Sequence, residues 1–175
     1  MQLFGSSGTR GVVGDGLSPE FVLRIAKAAG TVWSADRVFV ARDTRLSGEM
    51  FENAAASGLA SVGVDVARSG ITPTPAAVRY ADVHGRPGLV ITASHNPPEY
   101  NGVKLVGADG IALGVDRLET IEDHIPAEDF AIAAWDEAGA ADRVDARNRE
   151  HVAALLAAVD REASAAADLT LPSAP

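Results

Sequence analysis

Ser94 and His95 stand side by side, Pro97 and Pro98 follow, and Lys104, one of only two lysines in the chain, comes ten positions after the serine. A serine hydroxyl can act as a nucleophile or carry an ester. Serine beside histidine invites a hydrolase reading. However, neighbouring side chains leave an extended backbone in opposite directions, and no GxSxG surrounds Ser94. A Ser-His triad is therefore disfavoured. Phosphoryl chemistry suits the set better, because a phosphoserine carries close to two negative charges and needs cations to hold it. Arg10 in GSSGTRG, Arg42 and Arg45 in ARDTR, and Lys104 are the candidate cations. The GSSGTRG stretch, with Ser7 inside it, is only loosely like a phosphate cradle. It lacks the GK[ST] ending of a P-loop, and GxGxxG is missing too, which disfavours a nucleotide-hydrolysing motor.

These residues need a scaffold, and the hydrophobic pattern supplies one. After the loop GSSGTRGVVGDG, Ser18 and Pro19 read as N-cap and first helical position, with Val22, Ile25, Ala26, Ala29 and Trp33 at helical spacing. Val38 to Ala41 reads as a buried strand that delivers the Arg42 cluster to its carboxyl end. Ser47 is expected to cap a second helix that stops at Gly63, and Val64 to Ala67 to form the next strand. Thr74 and Pro75 open a third helix reaching about His84. Leu89 to Thr92 and Val103 to Val106 are expected to pair antiparallel, with ASHNPPEYNG as a long tip stiffened by Pro97-Pro98 and turned by Asn101-Gly102. Lys104 then lies on the opposite face from Val103 and Leu105. Val115 to Ile125 reads as a closing helix. Strands alternating with helices imply an α/β sandwich, whose ligand crevice lies at the carboxyl ends of the strands.

The chain has 175 residues, 47% hydrophobic content and no cysteine, which allows a real core and excludes disulfides and thiolate-bound metals. No apolar stretch is long enough to cross a bilayer, and MQLFGSSGTRG lacks the layout of a secretory signal; a cytoplasmic protein is the expectation. The net charge of −9 sits in the second part of the chain, and no basic cluster marks a nucleic-acid surface. Residues 126–147 read as an alanine-rich linker. Val152, Leu155, Leu156 and Val159 then make a narrow apolar stripe on one helix, which needs a partner surface or self-association, and the last fifteen residues show no convincing element.

ITASHNPPEYNGVKL resembles the phosphoserine signature of the α-D-phosphohexomutases, the family of phosphoglucomutase, phosphomannomutase and phosphoglucosamine mutase. FGSSGTRG and ARDTR resemble two further motifs of that family, in the same order and place. The resemblance implies a three-layer α/β/α sandwich with a mixed sheet over residues 1–125, and an incomplete second domain from 148 to 175. It implies that Ser94 carries a phosphoryl group, gives it to a hexose phosphate and receives one back from the bisphosphate. Lys104 would be the general acid and base, Arg10 an active-site cation, and His95 a positioning group. Ser7, Arg42, Arg45 and Asn96 would attend the phosphate. Mg²⁺ would bind the phosphoserine oxygen, but its other ligands lie on an aspartate-rich loop that nothing here matches, so the domain alone should turn over little. The remaining domains are then its partners. TASHNPPEYNG leans to the glucose and mannose phosphate side, with glucosamine phosphate as the alternative.

Blander readings stand beside these. Arg42, Asp43 and Arg45 also fit an ion-pair cluster on a rim, with Asp43 orienting an arginine. His95 could bond the tip of its own loop, and Asn96, Asn101 and Gly102 suit a turn. Asp123, His124 and Glu128 read as a solvated helix end rather than a metal site, and His84 and His151 have no partners at ligand spacing. A non-catalytic anion-binding module would keep the same fold and pocket.

Overall fold

Ser18 starts the first helix as its chemistry requires: its hydroxyl accepts the Phe21 N–H at 3.2 Å, and Pro19 follows with no N–H to satisfy. The same hydroxyl, then the backbone N–H of Glu20, hold the Glu20 carboxyl below the usual carboxylate range. The computed structural model describes residues 3–5, 8–144 and 147–167. Along them run β1 (Thr9–Val12), α1 (Pro19–Trp33), β2 (Arg37–Arg42), α2 (Gly48–Ala60), β3 (Asp65–Ile71), α3 (Thr74–His84), β4 (Gly88–Ile91), β5 (Tyr100–Val106), α4 (Val115–Ala127), β6 (Ala141–Arg143), α5 (Arg147–Ala158) and α6 (Arg161–Ala166).

The strands form one six-stranded sheet in the order β1-β5-β4-β2-β3-β6. From β4 to β6 neighbours are parallel, and β5 runs antiparallel to both β4 and β1. The sheet is therefore mixed, and the reversal falls at the β4–β5 hairpin. One face buries Val38, Val40, Leu89, Ile91, Val103 and Leu105 against Val22 and Ile25 of α1, Phe51 and Leu59 of α2, and Ile121 and Ile125 of α4. The other face packs Phe39, Ala41, Ala67, Val90 and Val106 against Ala77 and Ala81 of α3. Helices on both faces give the α/β/α sandwich expected from the sequence. Strand residues alternate between the two clusters because successive side chains point to opposite faces.

Gly63 takes the left-handed conformation (φ 79) that ends a helix, as its position predicted. Ser47 does not cap α2 with its side chain; its hydroxyl instead accepts the Asn101 amide at 2.9 Å and so ties the helix start to β5. Three elements lie outside the sequence expectation. Thr9–Val12, read as loop, is an edge strand with Arg10 opposite Gly102. Ala141–Arg143, in the stretch read as linker, adds an exposed edge strand beside β3. Leading to it, residues 131–140 bond to the carboxyl end of α2 through Ala133 N to Ser61 O and Gly139 N to Ala60 O. The short helix α6 lies in the tail read as structureless, where Asp160 caps it through the Ala163 N–H at 2.9 Å. The predicted stripe is half exposed at Val152, Leu155 and Leu156 of α5 and at Val159 just past its end.

Candidate functional site

The site grows from the place where β4 ends and the chain turns out of the sheet. The register Leu89↔Leu105, Val90↔Lys104, Ile91↔Val103 is the predicted hairpin. Beyond it the Ser94 hydroxyl sits on an exposed tip, and Ser94 has φ 53, a left-handed conformation rare outside glycine. The backbone around it is tied down. Ser94 N donates to the Thr92 hydroxyl at 3.2 Å, that hydroxyl donates to Asp43 Oδ2 at 2.8 Å, and Asp43 Oδ1 accepts Arg45 N at 2.9 Å. Strand β2 thus reaches across its parallel neighbour β4 to hold the serine tip from below.

Arg45 occupies the middle of that tip. Its Nε donates to Asp43 Oδ2 at 3.2 Å, Nη1 to the carbonyls of Pro97 at 2.7 Å and Tyr100 at 3.0 Å, and Nη2 to those of Ser94 at 3.0 Å and Asn96 at 2.7 Å. On the other side, Arg10 Nη1 donates to Asn96 Oδ1 at 2.8 Å, so Asn96 is both a turn residue and a bridge to β1. The Nε of Arg10 is buried and has no acceptor among the described residues. A buried cationic N–H without a partner is costly. Arg10 reaches this position because Gly102 opposite it has no side chain: a Cβ there would lie 2.9 Å from Arg10 Cγ.

Asp43, Thr44, Arg45, Leu46, Ser94, Asn96 and Pro98 line an open cavity of about 460 Å³. Of the sequence candidates, Ser94, Asn96 and Arg45 come together here, with Arg10 joined through Asn96. His95 is exposed beside them, and no hydrogen bond of its ring to the loop is found among the described residues. Lys104, half-buried on β5, lines a separate, largely apolar cavity of about 280 Å³ with Phe4, Gly8, Leu118 and Glu122. Arg42 belongs to a third cavity of about 490 Å³ at the ends of β2, β3 and β6. There it meets Glu52 at 2.9 Å and Glu49 at 3.5 Å, while Arg68 lies 3.5 Å from Glu52. That is the ion-pair reading of Arg42. Ser7 lies outside the described residues. Asp43 orients Arg45, as expected. Thr92 and Glu52 were missed; a threonine two residues before the serine was the one signal available for Thr92.

The described residues contain no group of three or more His, Asp or Glu side chains that could hold a metal ion. Asp43 is the carboxylate lining the serine cavity, and both its oxygens already accept hydrogen bonds. The described residues do not form a complete divalent-cation site. His124 bonds the Asp129 carbonyl at 2.6 Å and Glu128 pairs with Arg24 at 3.2 Å, in keeping with a solvated helix end. No helix among the described residues is long and apolar enough to cross a membrane.

Comparison with known proteins adds to this geometry. Residues 1–132 match the family model described as phosphoglucomutase/phosphomannomutase, alpha/beta/alpha domain I. The chain is 46% identical over 145 residues to a phosphoglucomutase/phosphomannomutase of Thermococcus kodakarensis, covering 79% of the chain and 32% of that protein. It is 44% identical over 138 residues to a phosphoglucosamine/phosphogalactosamine mutase of Sulfurisphaera tokodaii, covering 77% and 30%. A crystal structure of a phosphoglucomutase/phosphomannomutase family protein from Burkholderia thailandensis superposes with a TM-score of 0.74 at 33% identity, covering 85% of the chain and 34% of that protein. The chain spans about a third of the length of the relatives it matches.

Proposed function

The chain belongs to the phosphoglucomutase/phosphomannomutase family, and from that premise we propose that it is the phosphoserine-bearing first domain of an enzyme that interconverts hexose 1-phosphates and 6-phosphates. The observation that carries the reading is Ser94 itself: an exposed hydroxyl at a braced tip, to which Arg10 is joined through Asn96. In the proposed reaction the Ser94 Oγ–P bond breaks as a sugar hydroxyl oxygen bonds the same phosphorus, and the hydroxyl proton leaves to a base. The bisphosphate reorients and its other phosphoryl group returns to Oγ. Lys104 is the proposed base and acid, and reaching Oγ from its own cavity requires its long side chain to swing toward the tip. Arg10 and Asn96 would hold the phosphoryl oxygens, with His95 and Ser7 beside them.

When bound, Mg²⁺ would neutralise charge developing on the serine oxygen. A phosphoryl oxygen on Ser94 could supply one ligand, and the others would come from outside this chain. We take α5 as the start of a second domain, whose remainder would cover the Val152–Val159 stripe, and we place the enzyme in the cytoplasm. Relatives named for glucosamine phosphate keep that sugar beside glucose and mannose phosphates as a substrate class.

The test uses a protein that extends the chain to the length of its relatives, incubated with a hexose 1,6-bisphosphate. Peptide mapping is expected to find the phosphoryl group on Ser94, and Ser94→Ala to lose both the modification and the isomerisation. Isomerisation that persists in Ser94→Ala would end the reading.

A further inference from the structure

A guanidinium has five N–H donors in a fixed fork. In Arg45 each of the five has a partner: Asp43 Oδ2 at Nε, the Pro97 and Tyr100 carbonyls at Nη1, and the Ser94 and Asn96 carbonyls at Nη2. Four of those acceptors come from the seven residues that carry the serine. The loop contains Pro97 and Pro98, which have no N–H, and Ser94, Asn96 and Pro97 precede β5, so their carbonyls have no place in the sheet ladder. The arginine side chain is mostly buried, with 12% of it exposed, and its charge is met by Asp43. Each N–H of this cation is thus engaged, although its side chain borders the cavity.

We propose that Arg45 is a positioning residue for the phosphoryl-transfer serine, acting through the backbone of the loop rather than as a ligand of the phosphate. By gripping the Ser94 carbonyl on one side of the residue, while Thr92 and Asp43 hold its N–H on the other, it keeps Ser94 in the left-handed conformation that aims Oγ outward. The charge of a phosphoserine then falls to Arg10, whose buried Nε is the donor without an acceptor. This role rests on Ser94 being the reacting group, but the geometry of the grip does not.

A charge-bearing ligand and a five-point brace respond differently to substitution. Lysine keeps the charge and offers only three donors from one point. In Arg45→Lys, amide hydrogen exchange is expected to speed up by about tenfold or more from Ser94 to Tyr100, the factor for losing a single charge-assisted hydrogen bond. Exchange in Val38–Ala41 should stay unchanged. In Arg45→Ala, millimolar methylguanidinium should restore the protection. In the enzyme extended to the length of its relatives, Arg45→Lys should lower kcat by about a hundredfold, as for a reacting group displaced by ~1 Å, with KM for the hexose phosphate unchanged. Loop exchange unaltered in folded Arg45→Lys would overturn the proposal.

The unsubstituted protein provides a test that does not depend on folding of a variant. In nitrogen-15 NMR the Arg45 side-chain N–H signals should exchange slowly and stay put as inorganic phosphate is added, whereas those of Arg10 shift. Phosphate that moves the Arg45 signals would overturn the proposal. Should Arg10 stay silent while Arg45 remains slow and unmoved, the phosphate assignment at Ser94 is weakened and the brace stands.

Discussion

Replacing Gly102 with alanine puts a methyl carbon 2.5 Å from the Thr9 carbonyl oxygen and 2.9 Å from that of Thr92. Both oxygens are backbone, one in β1 and one just past the end of β4, so no side chain can rotate to make room. An extra methyl group in a packed site costs about 1–3 kcal/mol. The weaker neighbour has to yield, and β1 is a four-residue edge strand held by one ladder, with Arg10 directly opposite Gly102. We therefore expect β1 to lift from β5 and to carry Arg10 away from Asn96. At about 2 kcal/mol and an m-value of about 2 kcal/mol per M, the urea midpoint falls by about 1 M. Far-UV circular dichroism measures this, and the Arg10 side-chain NMR signals report the lost contact. Gly16→Ala is the control, since the nearest atom to its Cβ is 3.5 Å away, and its unfolding free energy should hold within about 0.5 kcal/mol. Equal midpoints for the two variants would refute the argument from close approach.

Two further outcomes concern the scaffold. Glu52 is buried, with 3% of its side chain exposed, and faces Arg42 at 2.9 Å and Arg68 at 3.5 Å. Glu52→Gln should therefore cost about 1–3 kcal/mol in urea unfolding, by removing charge-assisted hydrogen bonds to two partly exposed arginines, one of which keeps Glu49; a loss under about 0.5 kcal/mol would mean the arginines turn to solvent instead. Leu59→Ala empties a fully buried position on α2 against which Gly30 of α1 packs, and thermal unfolding should show a loss of about 2–5 kcal/mol. A smaller loss would show that α1 collapses into the space.

Hydrophobic alternation announced the hairpin that carries the site. Leu89 to Ile91 is apolar on both faces of a covered sheet, and Val103, Leu105 and Val106 flank Lys104 on the returning strand; Asn101 and Gly102, read as the turn, instead lie inside β5 opposite Gly11 and Arg10, because the strand already starts at Tyr100. Ala141–Arg143 could not be seen this way, because an edge strand whose three residues all face water has no apolar pattern to show. Thr9–Val12 was hidden for a related reason: glycine at position 11 and a length of four residues look like loop, and the pairing depends on the open edge of β5. At the site, the sequence named the proposed phosphoserine and its candidate cations but not their division of labour. Arg42 and Arg45 look alike in the run ARDTR, yet one meets carboxylates and the other mainly carbonyls. Carbonyls belong to every residue, so no letter in the sequence marks them as a target.

The torsion at residue 94 also explains a choice between two alcohols. Threonine offers the same oxygen for esterification, but branching at Cβ makes a φ near 53 a poor fit, and even an unbranched side chain meets a penalty of about 1–2 kcal/mol in left-handed geometry. A threonine in this position would relax toward an extended backbone and, in the proposed reaction, turn its oxygen off the path of an incoming sugar. Chain torsion, rather than reactivity of the alcohol, decides which of the two residues can serve there.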